Sequence, residues 1–329
     1  MGKVPVPMLD ALFSIMKART LMAAVRFRIF ETLRDAPLTA HEVAARCNLD
    51  VECTELLLRV LVITDYLEHR GDQFALSELS RKTMIAGAEH ELFGYLMWNY
   101  SQWEMIGHLD DLLLTGRGID FHETLTDADA WANYQRAMME VARFSAPLVA
   151  ARVPVKAGAR RLLDIAGSHG LFGAAICRKH PPMTSTVLDL PIAIEHAREL
   201  ARQEKIDDVV EHRAGDILVA DYGNDNDVTL LSNILHHFDE ETNVGILRRA
   251  FQSLTPQGTV AIWEIEAPEK DAKPTHGDGA ALFFRLTSTA RCYHGNEYAR
   301  WLEGVGFTSV RVVRPALSPG SVLIIGRKP

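Results

Sequence analysis

Apolar residues recur at spacings near three and four over residues 9–33, through Leu12, Ile15, Met16, Leu21, Met22, Val25 and Ile29, and predict one long amphipathic helix. Thr39 with Glu42 three residues on reads as a capping box, so a second helix starts there and ends near Asn48. A third is predicted over 51–64, carrying Leu56, Leu57, Val60, Leu61 and Ile63. Residues 66–76 then read as two short strands around Arg70-Gly71-Asp72. Helix, turn, helix and hairpin together make a winged-helix pattern. Residues 101 to about 155 are mostly helical, interrupted at Gly116-Arg117-Gly118 and rich in large side chains such as Trp131 and Tyr134.

The pattern changes after Arg160. Strands are predicted at 162–165, 186–188, 209–213, 228–231 and 259–265, with helices between them at about 170–179, 191–204 and 240–254. A βα repeat of this kind builds a mostly parallel sheet covered by helices on both faces. The final pair, 307–313 and 322–326, is joined by too few residues for a crossover and is therefore antiparallel. Residues 268–279, rich in Gly, Pro and Lys, read as a mobile loop. The expected organisation is an N-terminal domain over 1–100, a helical linker at about 101–157, and an α/β domain completing residues 101–329.

Charge decides between readings of the N-terminal part. A winged helix usually suggests DNA, but the whole chain carries a net charge of −8, and residues 39–82 hold five basic side chains against eight acidic ones. The would-be recognition helix has Glu52 and Glu55 and a single Arg59. Phosphate contacts dominate DNA affinity, and this surface offers few. A dimerisation module fits better, because the first helix has more apolar surface than a lone terminal helix needs and calls for a partner subunit. A DNA-binding regulator that senses a ligand is the competing reading from another class. No apolar run reaches the ~18 residues of a membrane span, and residues 1–8 do not resemble a signal peptide. The four cysteines (Cys47, Cys53, Cys177, Cys292) are scattered, so a reducing cytoplasmic setting is expected, without a metal framework.

The candidate chemistry gathers at strand ends. Residues 162–165 run into the small-residue turn Ala166-Gly167-Ser168-His169-Gly170, and a helix follows. Such a turn lets a backbone approach a nucleotide-like ligand, but the G-x-G-x-x-G fingerprint and the glycine-lysine phosphate loop are both absent. Asp189 ends the second strand, where an acid accepts hydrogen bonds from ribose hydroxyls, and Asp216 ends the third. A nucleoside without phosphates suits this set. The fourth strand ends in Ser232-Asn233-Ile234-Leu235-His236-His237-Phe238-Asp239. An imidazole titrates near neutrality, so His236 is read as a general base, with Glu264 as the acid that orients it. Surface or capping histidines, and a metal held by His236, His237 and Asp239, are the alternatives. Glu266, followed at once by Ala267-Pro268, reads as a charge leaving the strand for solvent.

At these residues the chain resembles the class I S-adenosylmethionine-dependent methyltransferases, and more narrowly the small-molecule O-methyltransferases of plant phenolic and bacterial secondary metabolism. The resemblance rests on Leu163-Asp-Ile-Ala-Gly-Ser-His-Gly170, Leu188-Asp-Leu-Pro191, Ala214-Gly-Asp216, Asn233-Ile-Leu-His-His-Phe-Asp-Glu240 and Gly304-Val-Gly-Phe307. It implies a Rossmann-like seven-stranded sheet with an antiparallel last strand, a mostly helical N-terminal winged-helix dimerisation domain, and a homodimer. It implies S-adenosylmethionine as cofactor: Gly167 and its neighbours at the methionine part with Asp164 nearby, Asp189 on the ribose, Asp216 and Ile217 about the adenine, and Leu190 and Ser232 completing the set. His236 matches the family's catalytic base and Glu264 its partner acid. The usual Gly-Gly-Gly turn is Ala166-Gly167-Ser168 here, and a second acid expected before Glu297 falls at Cys292, near His294. Trp98, Trp103, Met138, Met139, Phe144, Phe283, Phe284 and His294 are the candidate acceptor pocket, and their bulk points to a small aromatic or polycyclic metabolite. Methylation at carbon or nitrogen, or cofactor binding without methyl transfer, are the alternatives within the family.

Overall fold

The computed structural model describes residues 7–269, 271 and 273–329, apart from the side chain of His276. The chain divides after Gln102 into two compact units.

The N-terminal unit opens with helices α1 (Pro7–Arg26) and α2 (Ile29–Thr32). The predicted single helix is broken because Arg28 takes a left-handed conformation, with φ of 55°. Strand β1 (Leu38–Thr39), helices α3 (Ala40–Cys47) and α4 (Val51–Ile63), the hairpin β2 (Leu67–Arg70) and β3 (Gln73–Leu76), and helix α5 (Glu78–Thr83) follow. The capping box at α3 forms as read: Thr39 Oγ1 accepts the Glu42 N–H, and the Glu42 carboxylate accepts the Thr39 N–H at 2.8 Å. The strands order as β1-β3-β2, and Phe30, Leu58, Leu61 and Phe74 pack in the core. The early part of α1 leaves Leu12, Phe13, Ile15 and Met16 about half exposed. Helix α6 (Phe93–Ile106) runs across the division between the units. No helix among the described residues is long and apolar enough to cross a membrane.

The second unit carries helices α7 (Leu109–Thr115) and α8 (Ala128–Ala150), separated by a 3₁₀ turn at Phe121–Thr124. The Rossmann-like body follows: β4 (Arg161–Ile165), α9 (Leu171–Lys179), β5 (Thr184–Asp189), α10 (Pro191–Gln203), β6 (Val210–Ala214), β7 (Asn226–Ser232), α11 (Glu240–Ser253), β8 (Leu254–Ile265), α12 (His276–Leu286), α13 (Gly295–Val305), β9 (Thr308–Val313) and β10 (Ser321–Arg327). The seven strands order as β6-β5-β4-β7-β8-β10-β9. The first five run parallel, and β10 pairs antiparallel with both β8 and β9.

Alternation along the strands distributes the core. Leu163, Leu231, Ile262 and Ile324 face Ile246, Leu247, Tyr298 and Trp301 of α11 and α13. Their neighbours Leu162, Leu230, Ala261 and Leu323 face the other way, toward Ala142, Val149, Phe172 and Ile176 of α8 and α9. Both faces are buried, which is why these strands read as continuous apolar runs. The predicted loop at 268–279 is shorter than expected. Thr275 and Asp278 form a capping box that starts α12 at His276, while Lys270 and Ala272 lie outside the described residues.

An ionisable group without hydrogen-bond partners among the described residues sits inside this core. Asp164, on β4, is fully buried, and neither carboxylate oxygen completes a hydrogen bond among the described residues. Burial pushes its carboxyl up to about 7, against the pull of the Gly173 backbone N–H. In the unfolded chain the same group ionises near pH 4. Between these values the folded chain holds a proton that the unfolded chain has lost, so stability falls as pH rises from about 4 to about 7. Asp164→Asn removes this slope. Urea unfolding at pH 5 and pH 8 should show the variant gaining on wild type by roughly 2–3 kcal/mol at the higher pH, whereas parallel pH profiles would contradict it.

Candidate active site

The turn after β4 is held in an unusual shape. Ala166, Ser168 and Gly170 have φ of 54°, 47° and 76°, all left-handed. Gly167 between them has no alternative, because a Cβ there would lie 2.3 Å from Cγ of Asp164. At the end of β5, Oδ2 of Asp189 accepts the Ser168 N–H at 2.8 Å, and Oδ1 accepts the Leu190 N–H at 2.7 Å. Each oxygen keeps a lone pair for a further donor, the arrangement two vicinal hydroxyls need. Beyond β6, Oδ1 of Asp216 accepts the Leu218 N–H at 2.8 Å, beside the buried Ile217.

These residues border one cavity of about 440 Å³, whose wall includes Gly167, Asp189, Leu190, Asp216, Ile217 and Ser232. The 3₁₀ turn before α8 and the helix itself contribute Asp120, His122, Trp131, Tyr134 and Met138 to the same wall. The hydroxyls of Ser168 and Ser232 are buried there without a hydrogen-bond partner among the described residues. Among the described residues no lysine or arginine borders the cavity. Two acids at strand ends, unused hydroxyls and a glycine that the Asp164 carboxyl beneath it requires fit a nucleoside. A described wall without a cation does not suit a pyrophosphate. Asp164, read from sequence as near the cofactor, lies beneath the turn and not on the wall.

After β7 the chain makes a short 3₁₀ turn, Leu235–His237. Glu264, on β8, is wholly buried and anchors this turn. Its Oε1 accepts the N–H groups of Ile234 and Leu235 at 2.8 and 2.7 Å, and its Oε2 lies 2.7 Å from Nδ1 of His236. A carboxylate only accepts, so Nδ1 carries the proton and Nε2 of His236 is left as the basic nitrogen. Asn243 donates to the carbonyls of Leu235 and Phe238, Ser288 to that of His236, and Tyr293 to that of Phe238. Phe284 packs edge-on against the His236 ring at 4.7 Å, with Phe283 behind it.

His236 is 1% exposed and is not part of the cavity wall, whereas His237 is. His237 faces the cavity directly, and the His236 ring lies just behind it on the same 3₁₀ turn. His237 lies between His236 and His122, tilted against the first and edge-on to the second, with ring centroids 4.1 and 4.6 Å away. Burial pushes His122 down to about 4 and His237 well below its ordinary value, so both are uncharged at neutral pH. His237 stands in the sequence motif beside the expected base, but His122 carries no motif that would have marked it.

The predicted acceptor residues scatter. Met138 borders the cavity, but Met139, turned about 100° further round α8, is buried in the packing. Trp103 and Phe144 are more than one-third exposed, and Trp98 lies in the N-terminal unit. His294 caps α13, with Nε2 3.4 Å from Glu266. Glu266 does not leave for solvent: it holds Arg314 through two contacts of 2.6 Å and accepts the Gly295 N–H. Cys292, at the position of the absent second acid, is buried, and burial with the nearby Glu264 pushes its thiol up to about 12. Glu264 is thus the one carboxylate paired with His236 among the described residues.

Comparison with known proteins gives the family. A model of the O-methyltransferase domain matches residues 110–308, and one of the O-methyltransferase dimerisation domain matches residues 9–85. The chain is 26% identical to a 3-hydroxy-5-methyl-1-naphthoate 3-O-methyltransferase of Streptomyces sahachiroi, over 96% of this chain and 93% of that one. It is 27% identical to a mitomycin biosynthesis 6-O-methyltransferase of Streptomyces lavendulae, over 97% and 93%. Human N-acetylserotonin methyltransferase, solved in complex with S-adenosylmethionine, shares the fold at a TM-score of 0.87 and 20% identity, covering 100% of this chain and 99% of the other. The chain belongs to the O-methyltransferase family and is an S-adenosylmethionine-dependent enzyme.

Proposed function

We propose that this enzyme methylates a hydroxyl of a small aromatic or polycyclic metabolite, with His236 as general base and Glu264 as the group that holds it. The observation that carries the reading is the buried His236–Glu264 pair at 2.7 Å, on a turn whose next residue borders the cavity. When bound, S-adenosylmethionine supplies a methyl group made electrophilic by its sulfonium. Asp189 accepts from the ribose hydroxyls, Asp216 and Ile217 flank the adenine, and Gly167 with its neighbours receives the methionine part. Leu190 and Ser232 close the wall beside them. A phenol has a pKa of ~10 and is mostly protonated at neutral pH. Nε2 of His236 takes that proton as the oxygen attacks, and Glu264 stabilises the imidazolium, an effect worth roughly 10²–10⁴-fold.

Trp131, Tyr134 and Met138 give the cavity a flat, apolar wall suited to a ring system. Relatives acting on a naphthoate and in mitomycin biosynthesis support the same acceptor class. The match to a dimerisation domain and the exposed apolar side chains of α1 support a homodimer built on the winged helix, with the acidic N-terminal unit not used for nucleic acid. A cytoplasmic setting suits the four free cysteines.

A second reading, in which His237 is the base, is favoured by its place on the cavity wall while His236 stands behind it. Incubation with labelled S-adenosylmethionine and candidate phenols or extracts, with mass spectrometry of products gaining a methyl group, tests the activity and separates the two. His236→Ala should lower turnover by about 10²-fold or more while cofactor affinity stays close to wild type. A larger loss in His237→Ala, with His236→Ala nearly unchanged, moves the role to His237. Asp189→Ala should do the opposite of His236→Ala and weaken S-adenosylmethionine binding about tenfold or more by calorimetry; normal affinity would remove the ribose assignment.

A further inference from the structure

The turn that borders the cavity contains a residue that backbone sterics disfavour. Ser168 sits at φ of 47°, a region that costs an L-residue with a Cβ free energy unless its surroundings hold it there. Both of its backbone polar groups are held. Its N–H is donated to Oδ2 of Asp189 on β5 at 2.8 Å, and its carbonyl lies 3.1 Å from Nε2 of His212 on β6. A carbonyl only accepts, so Nε2 of His212 carries the proton. His212 is buried, and Arg198 of α10 donates to its carbonyl at 2.9 Å, which fixes it from the side of the helices. The Ser168 residue is thereby gripped from two successive strands.

The grip matters because of what lies on each side of it. Ser168, His169 and Asp189 border the cavity, and His212 does not. If the Ser168 carbonyl is released, the residue can relax toward φ below zero. That rotation carries its N–H away from Asp189, which then keeps only the Leu190 N–H to orient its carboxylate. We infer that His212 is a positioning residue for cofactor binding: through Ser168 it fixes the orientation of Asp189, without touching the ligand. The inference rests on the reading that this turn and Asp189 hold the cofactor.

The test is isothermal calorimetry with S-adenosylhomocysteine on the full chain, paired with thermal unfolding of each variant. His212→Met keeps the bulk and removes the donor, and should weaken binding about tenfold while the midpoint of unfolding shifts by no more than about 5 °C. His212→Gln can place an amide N–H where Nε2 stands, and should restore affinity to near wild type. His212→Asn is polar but too short to reach Ser168, and should behave as the Met variant; it serves if His212→Met does not fold. A Met or Asn variant that binds as tightly as wild type overturns the inference, and so does a Gln variant as weak as the other two. Failure of the wild-type chain to bind the probe overturns the cofactor reading itself, and this inference with it. That outcome is distinct from normal wild-type binding that is indifferent to position 212.

Discussion

A carboxylate sealed from water must find donors or lose its charge, and Glu264 finds three within one short turn. Those same bonds determine where the chain goes after β7. Two backbone N–H groups are drawn to Oε1, so Ile234 and Leu235 cannot continue the strand, and the tight turn that results carries His236 onto Oε2. Asn243, Ser288 and Tyr293 then take up the carbonyls that the turn leaves over. Orientation of one imidazole is therefore not a separate device added to the fold. It follows from satisfying one buried anion between β7 and β8.

The parallel half of the sheet works by a related economy. Asp189 and Asp216 each meet backbone N–H groups just past their strands, so their carboxylates are aimed before any ligand arrives. The nearby histidines contribute no charge: His122 and His237 are held neutral by burial, and the buried His169 is pushed down to about 3. The cavity therefore combines fixed acceptors with uncharged rings, an environment suited to a cationic sulfonium beside a flat organic acceptor.

Much of this was legible because local chemistry and tertiary structure agree. The two-sided burial of the central strands appears as unbroken apolar runs, the capping box at Thr39 forms as written, and Asp189, Asp216 and Glu264 stand at strand ends or on a strand where their positions carry meaning. Other features depend on partners distant in sequence. The break at Arg28 leaves no mark in an apolar periodicity that continues through it. The start of α12 was marked by Thr275 and Asp278, but the surrounding Gly, Pro and Lys residues masked it. Bulk alone could not place the acceptor residues, since Met138 and Met139 differ only by one step round a helix. Which of two adjacent histidines faces a cavity is set by a 3₁₀ turn that Glu264 imposes from thirty residues away. His212 looks like any polar residue on an edge strand until Ser168 is found against it.

The strand order has a consequence for how the protein is made. β10 comprises residues 321–327, yet it lies between β8 and β9, with Val322, Leu323 and Ile324 completely buried. While the polypeptide is being synthesised, β9 has no neighbour to pair with and β8 has one open edge. The parallel strands that carry the cavity can associate first, but the sheet closes only when its last-made strand slides into the gap. Until then the chain presents an unpaired edge on either side of an apolar gap, the arrangement that invites pairing with another chain.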